Sequence, residues 1–132
     1  MGLDQYGMAV MPHKENSDFG YAWTNSDPED RVNLIAQWRK HSDLQGYMEA
    51  LYIRKCQENG VEEVVFNCQP LRLTLQDLND LEEVVTNDSL PLTSGFFFGK
   101  SLPEDKADDL AFINQAREAI GMDMEIYYDS WW

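Results

Sequence analysis

The sequence predicts a two-layer α+β domain, a mostly antiparallel or mixed sheet covered by about three helices. Three observations predict it. Segments that alternate apolar and polar residues with period two are interleaved with segments whose apolar residues recur at helical spacing. Each helical segment carries one apolar stripe, which must be buried against a sheet face. Gly and Pro sit singly at element ends, with no repeat or linker, so residues 1–132 read as one domain.

Residues 3–11 read as a strand, and so do 19–24, where Phe19, Tyr21 and Trp23 alternate. The polar stretch 12–18 joins them as an antiparallel hairpin, and 25–28 form a loop or one capped turn. Residues 32–40 fit two patterns. Val32, Leu34, Ala36 and Trp38 alternate as in a strand, whereas Val32, Ile35 and Trp38 fit a helical face; the strand is favoured. Ser42 can cap a helix whose stripe is Leu44, Tyr47, Met48, Leu51, Tyr52 and Cys56, with Gly60 as its stop. Residues 64–73 return to strand character, with Pro70 marking an edge or a bulge. Thr74 and Asp77 have capping-box spacing and start a helix running through Leu75, Leu78, Leu81, Val84 and Val85. Residues 95–99 form a short apolar strand. A third helix begins near Pro103, carries Ala107, Leu110, Ile113, Ala116 and Ile120, and stops at Gly121. Met124, Ile126 and Tyr128 alternate in a last strand.

Composition narrows the function classes. The chain has 24 acidic and 10 basic side chains, a formal net charge of −14. A nucleic-acid backbone or an anionic membrane surface would be repelled. No stretch approaches the roughly 18 apolar residues of a membrane span, and no signal-peptide pattern opens the chain. Cys56 and Cys68 read as reduced, buried small hydrophobes, consistent with a cytoplasmic location. The charge is uneven. Residues 1–60 hold nine acidic and six basic side chains, whereas residues 61–132 hold fifteen and four. The excess falls on the polar faces of the second and third helices, at Asp77, Asp80, Glu82, Glu83, Glu104, Asp105, Asp108, Asp109 and Glu118. Solvated helix faces explain it most simply. A DNA-mimicking surface would require these carboxylates in continuous paired rows.

Chemistry-bearing motifs are few. Gly95-Phe96-Phe97-Phe98-Gly99-Lys100-Ser101 falls one residue short of a P-loop, and three bulky aromatics would hinder amides from curling around phosphates. A strand whose glycines allow close approach fits better. No HExxH or EF-hand spacing is present, so neither a metal site nor a cofactor is expected. No Ser/His/Asp or Cys/His pairing is evident. Trp38-Arg39-Lys40-His41 is the densest cationic spot and precedes a helix start. Arg39, Lys40 and His41 there could bind a phosphate or carboxylate, with His41 as candidate catalytic acid–base. The simpler reading has Arg39 and Lys40 neutralising nearby carboxylates while Trp38 packs inside. Asp4 joins the candidates if it faces this group across the sheet.

Met1-Gly2-Leu3-Asp4-Gln5-Tyr6, Trp38-Arg39-Lys40-His41 followed by Leu44-Gln45-Gly46-Tyr47-Met48, the Gly95-to-Gly99 block and the aromatic C-terminus together resemble a small tailed-phage protein family. The family is found in marine and cyanobacterial phages, and no activity is established for it. Members are sometimes labelled phosphoglycerate kinase, a two-domain enzyme each of whose domains exceeds this whole chain. The resemblance implies a shared site among Asp4, Tyr6, Trp38, Arg39, Lys40, His41, Gln45, Gly95 and Gly99, and carries over no catalytic residue. It implies a phage protein acting in the host cytoplasm by binding a host protein or a small anionic metabolite. The alternative is a small enzyme for a phosphorylated or carboxylated metabolite, and homo-oligomerisation stays open.

Overall fold

The structure is a computed structural model that describes residues 2–22, 32–93 and 100–132. Its element order is β1 (Asp4–Val10), β2 (Val32–Arg39), α1 (Ser42–Asn59), β3 (Leu71–Leu73), α2 (Leu75–Thr86), α3 (Asp105–Gly121) and β4 (Glu125–Trp131). The four strands form one sheet in the order β2-β1-β4-β3, antiparallel at each pairing. The predicted α+β class, with three helices against an antiparallel sheet, is the observed one.

One core joins the sheet to the helices. Ala9, Trp38, Leu71, Leu73, Ile126 and Tyr128 from the strands meet Leu44, Met48 and Leu51 of α1, Leu78, Leu81 and Val85 of α2, and Phe112, Ile113 and Ala116 of α3. On the sheet's other face, Met8, Val10 and Tyr127 form a smaller cluster with Tyr21 and Val32. The alternation of β1 sorts its side chains accordingly, with Gln5, Gly7 and Ala9 toward the helices and Asp4, Tyr6 and Met8 away.

Gly7 lets α3 approach the sheet. A Cβ built there would lie 2.5 Å from Phe112 Cε1 and 3.3 Å from the Cβ of Ala36. Gly7→Ala should therefore push α3 outward and destabilise the chain by about 1–3 kcal/mol, read as a lower thermal midpoint. Phe112→Leu in the same chain should recover part of the loss by freeing space.

Four expectations about elements are corrected. Residues 19–22 form no strand, and Trp23 and Thr24 lie outside the described residues; the segment contributes one bridge, Ser17 to Gly20. Both sides of β1 are instead taken by seven-residue registers with β2 and β4. Tyr21 turns onto Tyr127, ring centroids 5.3 Å apart. The strand predicted over 64–73 shrinks to Leu71–Leu73. Ahead of it the Tyr52 hydroxyl accepts the Val64 N–H, Phe66 stacks on Tyr52 at 4.9 Å, and Cys68 adopts φ 59. Cys68 is consequently exposed rather than buried, while Cys56 is buried as expected. Ser42 is the first helical residue rather than the cap; the capping position belongs to His41, whose own side chain makes no cap bond. The strand predicted at 95–99 lies outside the described residues.

Other local signals agree with the structure. Gly60 ends α1 in the left-handed region, φ 63, and the Val61 N–H reaches Cys56 O at 2.9 Å. Thr74 and Asp77 form a reciprocal capping box at 2.8 and 3.2 Å. Among the described residues, no helix is long and apolar enough to cross a membrane.

Candidate functional site

The pleat of the sheet divides the Trp38–His41 motif. Trp38 faces the helices and is buried, edge-on to Phe112 at 5.1 Å. Arg39 faces the other way, where its guanidinium lies 3.8 Å from Asp4, both side chains well exposed. Lys40 follows in the left-handed region, φ 59, and is exposed. This bend sends His41 back inside, where it is buried. The expected anion-binding cluster of Arg39, Lys40 and His41 thus does not converge: alternation and the bend leave two cations in solvent and turn the imidazole into the protein. Asp4 and Tyr6 lie on the outer face with Arg39; Gly95 and Gly99 lie outside the described residues.

Inside, Trp38, His41 and Gln45 meet residues the sequence did not single out. Gln5, fully buried on β1, grips the His41 backbone twice. Its Oε1 accepts the His41 N–H at 2.9 Å, and its Nε2 donates to His41 O at 2.9 Å. Gln5 Nε2 also donates to the Tyr128 hydroxyl at 2.8 Å, which donates to Gln45 Oε1 at 2.6 Å. Burial pushes the Tyr128 phenol far above its ordinary value, so it serves as a neutral donor.

The His41 ring is held on both nitrogens. Nε2 lies 2.9 Å from Asp109 Oδ2, and Nδ1 lies 2.7 Å from Ser101 Oγ and 3.7 Å from Asp105 Oδ2. Ser101 Oγ also accepts the Asp43 N–H at 2.9 Å, capping the first turn of α1 from outside that helix. With Asp109 ionised, the network assigns the His41 proton to Nε2 and leaves Nδ1 to accept from the Ser101 hydroxyl. The result is a connected Ser101–His41–Asp109 array. Ser101 is partly exposed, while the His41 and Asp109 side chains are 3% and 1% exposed.

Burial raises the Asp109 carboxyl above the ordinary carboxylate value. Hydrogen bonding and the positive charge available on His41 oppose the rise, Asp105 adds to it, and the neighbouring Trp38 indole lowers it in part. Trp38 Nε1, Asp109 Oδ1, Gln45 Nε2 and Ser130 Oγ complete no hydrogen bond of normal geometry among the described residues. All four belong to this polar layer, since Trp38 and Ser130 flank Gln5 in the strand registers.

A groove of about 420 Å3 adjoins the array. Its walls are Asp43 of α1, Val85 of α2, Asp88, Leu90 and Leu92 after it, and Leu102, Pro103, Lys106 and Asp109 around the start of α3. Lys106 is already engaged, with Nζ 3.2 Å from Asp88 Oδ1 and 3.3 Å from Thr86 O. Three carboxylates against one neutralised lysine disfavour an anionic occupant. Among the described residues, no group of three or more His, Cys, Asp or Glu is placed to hold a metal ion.

Several carboxylates expected on solvated helix faces are engaged elsewhere. Asp77 and Asp109 are buried, Glu82 pairs with Arg117 at 2.6 Å, and Asp105 accepts the Leu102 N–H at 2.7 Å. These inward and paired positions interrupt the continuous rows that DNA mimicry requires. The Ser101–His41–Asp109 array escapes a reading of the sequence because its members are far apart along the chain; only Asp109, an acidic residue three before Phe112, hints at an inward carboxylate. No protein-family model matches the chain, and no similar curated protein or solved structure is found.

Proposed function

We propose that this chain is a protein-binding module, phage-encoded and acting in the host cytoplasm, whose outer sheet face docks on a host protein with a basic surface. The observation that carries the reading is Trp131, 54% exposed and edge-on to Tyr6 at 5.9 Å. Residues 12–22 cover only the other end of this face, around Met8, Val10 and Tyr127. There the Tyr127 hydroxyl donates to Ser17 O at 2.9 Å, and Asn16 donates to Glu125 at 2.8 Å. The end that no described segment covers presents Trp131, Tyr6, Arg39 and Gln37, with Leu34 on the same face and 56% exposed. Trp, Tyr and Arg are the side chains that dominate interface energies, and side chains on paired strands lose little freedom on docking. The net charge of −14 supports a basic partner by steering its approach. Against a small anionic metabolite stand the acidic groove and the separation of Arg39 and Lys40 from His41.

The test is affinity capture from host lysate followed by affinity measurement on the captured protein. Trp131→Ala should weaken binding about 30-fold, roughly 2 kcal/mol, without shifting the thermal midpoint. Arg54→Ala, exposed on α1, should leave affinity unchanged. Association should slow as salt rises. Equal affinity of wild type and Trp131→Ala for every captured protein would remove the outer face as the docking surface.

A further inference from the structure

We propose that Ser101, His41 and Asp109 form an activated-serine site that hydrolyses esters of neutral or cationic small molecules. This activity is independent of the outer face, because the array lies on the helix-covered side of the sheet.

Three features carry it. The first is connectivity. The Ser101 hydroxyl sits 2.7 Å from His41 Nδ1, and His41 Nε2 sits 2.9 Å from Asp109 Oδ2. A nucleophile, a base and a group orienting that base are thus in hydrogen-bond reach in series. The ring nitrogens are used in the opposite order to serine proteases. Either imidazole nitrogen can take a proton, so roles rather than atom names decide.

The second is the gradient of exposure. Ser101 is partly exposed, with His41 and Asp109 buried behind it, which keeps the base and its carboxylate away from water while the hydroxyl stays reachable. Ser101 Oγ also faces the positive end of the 18-residue helix α1 through the Asp43 N–H at 2.9 Å. That potential favours the negative charge that develops beside Oγ during acyl transfer.

The third is the groove, whose wall includes Asp43, hydrogen-bonded to Ser101 Oγ, and Leu102, next to Ser101 in sequence. Leu90, Leu92 and Leu102 offer apolar contact for an acyl or alkyl chain. Asp43 and Asp88 set the charge preference toward neutral or cationic molecules.

The chemistry balances with water as co-reactant. His41 Nδ1 takes the Ser101 proton as Oγ bonds to the ester carbonyl carbon. The bond from that carbon to the alkoxy oxygen then breaks, and the departing alcohol takes the proton from Nδ1. Water next attacks the acyl-serine, again giving a proton to Nδ1; the acid leaves and Oγ recovers its proton. Asp109 acts through His41 as a positioning residue.

The test exposes the intact chain to a fluorophosphonate that modifies activated serines, with the adduct mapped by mass spectrometry. One adduct, on Ser101, is expected. Its formation should slow about 100-fold or more in His41→Gln, while Ser42→Ala, removing the other hydroxyl near Ser101 Oγ, should not slow it. With p-nitrophenyl acetate, Asp109→Asn should lower kcat about tenfold or more with KM unchanged; a change in KM alone would remove the positioning role. Acetylcholine should be cleaved in preference to monoethyl succinate, and the reverse order would overturn the charge preference. No adduct on Ser101 of the folded wild type, or equal labelling rates in wild type and a folded His41→Gln, would overturn the site and leave Ser101 as a cap of α1.

Discussion

Lys55→Met lowers the stability of this chain by about 3–5 kcal/mol, read as a reduced denaturant midpoint at unchanged slope. Lys55 Nζ lies 2.6 Å from Asp77 Oδ2 and 2.6 Å from Arg72 O, and the two paired side chains are 10% and 8% exposed. Removing the ammonium strands an ionised carboxylate and a carbonyl in the interior, and the expected loss is a large part of a typical domain's total stability. The double variant Lys55→Met with Asp77→Asn should lose less than Lys55→Met alone. The amide that replaces the carboxylate carries no charge, and its oxygen can still accept the Thr74 N–H, so the two changes are not additive. A loss under about 1 kcal/mol for Lys55→Met would mean that water screens the pair like a surface one.

The pH dependence has a definite sign. Burial alone would raise the Asp77 carboxyl. The bond from Lys55, the Thr74 amide, the Lys55 charge and the Thr74 hydroxyl outweigh it and hold Asp77 below its ordinary value. The stabilisation is therefore fully present above the unfolded carboxylate range near pH 4 and is lost as pH falls through the lower folded value. Asp109 runs the other way. Its net shift is upward, so its contribution is fullest below the unfolded value and declines as pH rises through the folded one. Urea midpoints should fall as pH drops below about 4 in wild type, and fall less steeply in Lys55→Met, where only the Asp77 share is removed.

These two aspartates also mark how far the sequence can be read. The Thr74–Asp77 capping box is visible because its spacing is local, but its link to Lys55 is not. A lysine four residues after Leu51 sits on the apolar stripe of α1, and that position is the only local sign that it turns inward. On α3 the apolar spacing points to a stripe of Ala107, Leu110, Ile113, Ala116 and Ile120, of which Ile113 and Ala116 are buried, Leu110 and Ile120 pack partly buried against the core, and Ala107 is exposed. The buried face also takes in Asp109, Phe112 and Ala119, because Gly7 admits the Phe112 ring. No window on α3 contains that fact. The strands are legible where their pairing is long, as in β1 and β4. Residues 19–22 and 64–70 depart from the strand pattern because side-chain contacts with Tyr127 and Tyr52 outcompete strand pairing. For the site, the Trp38–His41 motif locates the right place, while period-two alternation decides which of its members share an environment.

Gln5 and Tyr6 turn that alternation into an experiment. Gln5→Leu keeps the bulk but leaves the His41 N–H with no acceptor, while the His41 carbonyl keeps the Gln45 N–H and the Tyr128 hydroxyl keeps Gln45 Oε1. With one buried donor orphaned at about 1–3 kcal/mol and two further bonds lost, a loss of about 2 kcal/mol or more is expected on denaturant unfolding. The ring of His41 should also lose its fixed place between Ser101 and Asp109, seen as a shifted imidazole resonance and slower fluorophosphonate labelling. Gln5→Glu tests geometry apart from size. It can still accept the His41 N–H, but it sets a carboxylate against the His41 carbonyl, so it should rescue little. A cost under about 1 kcal/mol for Gln5→Leu would show that Gln5 does not hold His41 in place. The adjacent Tyr6→Ala removes a ring from the opposite face and should weaken docking of a partner while leaving the His41 resonance unmoved. One residue apart, the two substitutions should separate completely, because the sheet between them carries one proposed activity on each face.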